Sequence, residues 1–544
     1  MKYSLIFCLL LPLSVFGQSY THQDTLRGSI TPERAWWDLT HYDLRIKVNP
    51  ADSTIQGENV IGFTALQAGD QMQIDLQYPM QITSVKFEGQ ALSYVRQGNA
   101  YFVHFAGKLP KGTHGHIDVA FNGHPRVARR PPWDGGITWS KDQNGNPFIA
   151  SSCQGLGASV WWPCKDHMYD EVDSMTIAVT VPDTLQDVSN GRLRVVTNDE
   201  SGWRTYHWAV VNPINNYGVN INIGDYVHWD DTLHGENGIL DLNYYVLKEN
   251  EEVAREQFKQ AKRMLHAFEY WFGPYPFYED GYKLVETPYL GMEHQSSVTY
   301  GNHYQNGYLG QDLSGTGWGL KFDFIIIHES AHEWFANNIT YKDMADMWIH
   351  ESFANYSESL YLEYYFGKQA GSEYVIGTRE RIENDRPIIG PYNVNRSGSG
   401  DMYYKGGNML NMLRTWVDDD QKWRDILRGM NKTFYHQTVT TQQVEDYLSR
   451  SCGLDLTAFF NQYLRDTRIP ILAYRFEGDQ VFYRWENVVP HFNMPVRIST
   501  DNRHFNWVNP TDQWTSSSAP SAIKAISVDP NFYIEVDNVG VPRE

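Results

Sequence analysis

Cysteine is scarce in this 544-residue chain: there are four, and Cys8 lies inside the first apolar run. The other three, Cys153, Cys164 and Cys452, exclude a disulfide scaffold or a zinc–thiolate cluster and allow at most one bridge. Positive charge is short too, with 45 Lys and Arg against 65 Asp and Glu and a formal net charge of −20. Nucleic acid and anionic membranes attract basic surfaces, so neither is expected as the main partner. Past the N-terminus no run is long and apolar enough to span a bilayer, which takes about 20 residues, so stable membrane insertion is not expected. Internal repeats are absent as well. What the chain does have is aromatics, at 14% with 18 Trp and 35 Tyr, against only 20% charged residues. Such a composition buries enough apolar surface to fold and excludes disorder.

The first residues, MKYSLIFCLLLPLSVFGQS, combine a basic start at Lys2, an apolar run from Leu5 to Phe16 and compact residues at Val15 and Gly17. That layout predicts a cleaved export signal over 1–17, and hence a periplasmic or extracellular protein. From about residue 36 to 230, apolar and polar residues alternate in short runs. In HYDLRIKV (41–48), Tyr42, Leu44, Ile46 and Val48 share one face, as in an antiparallel strand. The runs MQIDLQ, SMTIAVTVP and YYVLKE repeat the pattern, so a β-saddle or sandwich is expected over 18–240. The period changes near 249. Ala261, Met264, Leu265, Phe268 and Trp271 follow helical spacing until Gly273-Pro274 stops them, which opens a mainly helical domain over 241–468. Alternation returns in ILAYRFEGDQVFYRWE, and a small β-domain is expected over 469–544.

The segment FIIIHESAHEWF (324–335) sets two histidines and two glutamates directly behind an apolar run. Buried ionisable groups are costly unless paired or bound to a metal. Four residues of helix turn through about 400°, which stacks His328 over His332 on one face where both reach one ion. Glu329 sits beside that site, placed to take a proton from an attacking water. A catalytic zinc takes three protein ligands and keeps one position open. Glu351, in the helical segment MWIHESFANYSE, is the third candidate. Glu333 points about 100° away from His332 and is expected to pack or support rather than ligate.

HESAH, then Glu351 in WIHESFA, resembles the gluzincin aminopeptidases related to aminopeptidase N, whose usual last piece is W-L-N-E-G-F-A. The resemblance extends to SSCQGLGASVWWPCKD (151–166) and FFNQYLRDTRIP (459–470), in the family's order. It implies an α+β multidomain chain: an N-terminal β-saddle, a thermolysin-like, mainly helical catalytic domain and a small C-terminal β-sandwich. It also implies one zinc ion per chain, held by His328, His332 and Glu351, with Glu329 as base. In LGMEHQ, Glu293 falls on the glutamate of the family's G-x-M-E-N motif, which holds a substrate's α-ammonium, and Gly291 and Met292 match the strand that pairs with substrate backbone. Leu290 and His294 depart from the motif, and His294 puts the amide contact of the usual Asn in doubt. Gln154 takes the place of a second amine anchor. Tyr403 in DMYYKGG falls on the oxyanion-binding tyrosine of Y-E-K-G, with Tyr404 where the family has Glu.

The implied activity is removal of an N-terminal residue from peptides with a free α-amino group. A thermolysin-like endopeptidase, a non-catalytic peptide-binding scaffold and an epoxide hydrolase stay open as other classes. Many relatives carry a helical domain after the sandwich that is expected to be missing here, leaving the cleft open or closed by another copy in a homo-oligomer. The sequons at Asn338 and Asn355 fall on the site helices, where a glycan hardly fits.

Overall fold

The computed structural model describes residues 20–199, 202–501, 503–519 and 525–540. The expected export signal over 1–17 lies outside them. Trp37–Asn49 is central in an eight-stranded sheet, antiparallel to Thr54–Ala65 and parallel to Met175–Pro182. Tyr42, Leu44, Ile46 and Val48 are all buried on one face, as the alternation requires. The segment WWPC packs beneath this sheet. Trp162 meets Tyr42 edge-on at 4.9 Å, and the Pro163 carbonyl accepts from Asn59 Nδ2 at 2.9 Å. A second sheet contains Pro147–Ser152, and the turn that leaves this strand carries Gln154.

Strands Tyr226–Gly235 and Gly238–Leu247 form a hairpin whose second strand pairs in parallel with Tyr282–Glu286. The expected boundary at 240/241 therefore falls inside a strand. Alternation is local and does not report which sheet a strand joins. This five-stranded sheet ends at the edge strand Gly291–Met292, paired with Thr299–Tyr300. The helical spacing near 249 resolves into two helices, Glu251–Gln257 and Lys259–Phe272, the second burying Ala261, Met264, Leu265, Phe268 and Trp271. Gly273, at φ 94°, stops it.

Two long helices, Trp348–Phe366 and Tyr404–Val417, pack against each other behind the site. Trp348–Phe366 is buried on every side from Trp348 through Leu362. At the C-terminus a four-stranded and a three-stranded sheet form the small sandwich. Arg379 ties it down, donating to the carbonyls of Pro530 (2.7 Å) and Asn531 (3.0 Å). The architecture is thus α+β and multidomain, with β-rich bodies at both ends of a mainly helical one. Among the described residues no helix is long and apolar enough to cross a membrane.

Candidate metal centre

Asp323 starts the helix Phe324–Ala331 by accepting the N–H groups of Ile325 and Ile326. Tyr300, Gln257 and Asn302 donate to the same carboxylate, so the helix start is fixed from three directions. Past His332 the chain leaves helical geometry at Phe335 (φ −126°, ψ 74°). That break frees the Phe335 carbonyl to accept from His332 Nδ1 at 2.9 Å. His328 Nδ1 is held by Glu358 at 2.8 Å, and Glu358 is fixed in turn by Tyr374 and Asn355.

With both Nδ1 atoms occupied, both Nε2 atoms turn inward. They lie 3.7 Å (His328) and 3.4 Å (His332) from Glu351 Oε2, and the ligand atoms of all three residues fall within 4.8 Å of one another. Burial disfavours charge on the imidazoles, yet the carboxylates prevail. Glu351 and Glu358 push His328 well up, and Glu351 pushes His332 up to about 9. Burial would raise Glu351, but His332 and His328 hold it far below the usual carboxylate range. Without an ion the carboxylates draw protons onto the two imidazoles; an ion would displace those protons, and the two nitrogens plus one carboxylate oxygen then left suit zinc. Outer partners at both Nδ1 atoms complete the donor set.

Glu329 faces the same cavity. Burial pushes it up to about 7, with His328 opposing and the Glu293 carboxylate adding to the rise. The edge strand runs closely over it. A Cβ on Gly291 would come within 2.6 Å of Ile325 and 3.2 Å of Glu329, so glycine is required there. Met292 packs with Ala150 and Tyr289 and also lines the cavity at the ion site. Glu293 is buried and raised by burial, with His332 opposing. Tyr217 donates to its Oε1 at 3.0 Å. Gln154 Nε2 donates to Glu351 Oε1 at 2.8 Å, which leaves the amide oxygen of Gln154 as an acceptor. The Tyr403 ring stacks near His328 at 6.1 Å between centroids. Burial and the carboxylates of Glu351, Glu293 and Glu329 keep its phenol protonated, so it remains a donor. A cavity of about 590 Å³ joins Gln154, Glu293, Glu329 and Tyr403 to the three ligand candidates.

Glu333 stays out of this cavity, accepting from Tyr275 Oη (3.0 Å) and the Ser296 N–H (2.8 Å) and so holding the loop behind Glu293. Sequence reasoning missed Glu358 and Tyr217. Glu358 lies seven residues past Glu351, two turns along one face, and that spacing of carboxylates was a usable signal. Tyr217 reaches Glu293 from the N-terminal body and leaves no local trace in sequence. Asn338 and Asn355, the sequon residues near the site, are buried.

Residues 256–463 match the Peptidase family M1 domain and residues 39–217 the Peptidase M1 N-terminal domain. The chain is 23% identical over 464 residues to aminopeptidase N of Lactobacillus helveticus, covering 79% of this chain and 51% of that protein. It is 22% identical over 352 residues to probable aminopeptidase 1 of Sulfurisphaera tokodaii, covering 62% and 43%. It thus spans about half the length of these relatives. Among solved structures, a mutant M1 zinc metallopeptidase of Deinococcus radiodurans bound to a Tyr-Ser-Ala substrate shares the fold at a TM-score of 0.65 and 21% identity, covering 80% of this chain and 95% of that one. The two matched domains take in both the β-rich N-terminal body and the helices that carry His328, His332 and Glu351, and the chain belongs to the aminopeptidase N-like gluzincins of the M1 peptidase family.

Proposed function

We propose that the protein is a zinc-dependent aminopeptidase that hydrolyses the first peptide bond of substrates with a free α-amino group. One observation carries this reading: Glu293 and the amide oxygen of Gln154 face the same cavity as the ion ligands, with Glu293, Glu329 and His332 offering ligand atoms within 4.8 Å of one another. An ammonium bound there stands one residue from the reacting centre, so register rather than side-chain recognition selects the bond.

His328, His332 and Glu351 would hold the zinc ion, which when bound polarises the scissile carbonyl and acidifies the attacking water. Glu329, pushed up to about 7 by burial, is matched to accept that water's proton near neutral pH and pass it to the departing amine nitrogen. Tyr403 donates its phenol hydrogen to the oxygen that gains charge as the carbonyl carbon becomes tetrahedral. The outer edge of Gly291–Met292 offers backbone groups to an extended substrate. An N-terminal export signal and a place outside the cytoplasm belong to the same proposal, supported by the pattern of residues 1–17.

The test compares one short peptide in free and N-acetylated form, with and without a zinc chelator. Chelator-sensitive release of the first residue from the free form alone is expected. Equal cleavage of both forms would reject the amine clamp and leave an endopeptidase. No cleavage of either would favour a binding scaffold.

A further inference from the structure

The cavity is lined by charges of both signs: Glu293, Glu329 and Glu351, and Arg381. Arg381 closes the turn Thr378–Arg381, and its Nε–H donates to the Leu313 carbonyl at 2.8 Å. That bond fixes the plane of the guanidinium while leaving both terminal nitrogens without a hydrogen-bond or ion-pair partner among the described residues. The ring it faces, Tyr404 at 6.0 Å, carries no charge, since burial pushes its phenol up to about 12. An arginine fixed at one nitrogen and open at two presents the fork that binds a carboxylate through paired hydrogen bonds.

Its place along the cavity says which carboxylate. The His328 ring lies 6.1 Å from Tyr403, Tyr403 lies 6.5 Å from Tyr404, and the Arg381 guanidinium lies 6.0 Å from the Tyr404 ring, steps that together bound how far Arg381 stands from the histidines. Glu293, by contrast, meets the centre from the His332 side. A peptide with its amine at Glu293 and its first bond at the two histidines shares one cavity with Tyr403, Tyr404 and Arg381, along which its tail can run. Extended chain covers roughly 3.3–3.6 Å per residue, so a tail of about two to five residues reaches it.

Building on the aminopeptidase reading, we propose that Arg381 binds the C-terminal carboxylate of the substrate and that the preferred substrates are short free-acid peptides of about three to six residues. The guanidinium is exposed to solvent, which places the effect at the low end for a charge-assisted pair, about tenfold in kcat/KM. It should fall mainly on KM, because the contact is remote from the reacting atoms.

The experiment measures kcat/KM for tri-alanine as free acid and as C-terminal amide in the wild type, Arg381→Ala and Arg381→Lys. The acid should be favoured about tenfold by the wild type, with the ratio near one in Arg381→Ala and intermediate in Arg381→Lys. Binding of the same two peptides to Glu329→Gln, read by calorimetry, should show the same preference without turnover. An acid-to-amide ratio near one in the wild type would overturn the proposal, as would an undiminished ratio in Arg381→Ala. A third peptide, amidated and with glutamate in second position, separates the sources. Arginine-dependent preference for that peptide over amidated tri-alanine would assign Arg381 to an acidic side chain and also overturn the proposal. Hydrolysis of an alanyl arylamide, which has no carboxylate, tests the aminopeptidase reading alone.

Discussion

Two buried histidines line the cleft, His328 and His332, and two more, His294 and His350, are buried outside its lining; the two pairs behave in opposite ways. His328 and His332 are pushed up despite burial, His328 well up and His332 to about 9, whereas His294 is pushed down to about 3 and His350 well below its usual value. Burial is the largest influence in all four. The difference lies in carboxylates at contact distance: Glu351 and Glu358 meet the first pair, whereas among the described residues the His294 ring meets Thr299 Oγ1 at 3.4 Å, and the pull of Glu351 on His350 is outweighed by burial and His332. In the second pair His350 accepts the Tyr341 N–H on Nε2 at 2.9 Å, which requires the neutral ring. Depth alone therefore does not mark an ion site. The mark is a histidine whose inner nitrogen faces a carboxylate while its outer nitrogen is already bonded.

The sharpest way to test this contrast keeps the ligands and removes the base. Glu329→Gln should lower kcat by about 10²–10⁴-fold while zinc content stays unchanged, as checked by elemental analysis. Loss of the ion would instead make Glu329 part of the ligand set. Tyr403→Phe keeps the ring near His328 and removes only the donor. It should lower kcat by about 10²–10³-fold with little change in KM. Glu358→Ala releases His328 Nδ1 and should weaken zinc binding by about 10–100-fold in a competition titration. An unchanged affinity would remove the outer carboxylate from the explanation.

The smallest effect belongs to the other pair. An unfolded histidine titrates near 6.5 and His294 near 3, so the unfolded chain binds the extra proton between those values. The stability that neutral His294 contributes is fully present above about pH 6.5 and lost as pH falls towards 3. His294→Asn removes this dependence. The drop in Tm from pH 7 to pH 5 should be smaller in the variant than in the wild type, and an equal drop would contradict the assignment.

Much of this contrast was legible in sequence. The four-residue spacing of His328 and His332 and the carboxylate at Glu351 pointed to the cluster that the fold brings within 4.8 Å, because helix geometry converts spacing directly into position. The strand alternation around Tyr42 and the helical spacing around Met264 placed elements for the same reason. What stayed hidden depends on contacts between distant segments. Tyr217 reaches Glu293 across 76 residues, Gln154 reaches Glu351 across 197, and the hairpin ending at Leu247 joins the second body rather than the first. No local period records those choices. The helix break at Phe335, which supplies the carbonyl for His332, is equally silent in the apolar pattern around it.

On the proposed reading His328, His332 and Glu351, and not the other buried histidines, hold the ion. The measurement that tests it most directly is zinc stoichiometry after chelation and re-titration of the wild type, His332→Ala and His294→Asn, with folding of each checked by circular dichroism. One ion per chain is predicted for the wild type and His294→Asn, and none for His332→Ala at the same free zinc. A folded His332→Ala that still binds one ion per chain with wild-type affinity would contradict the account.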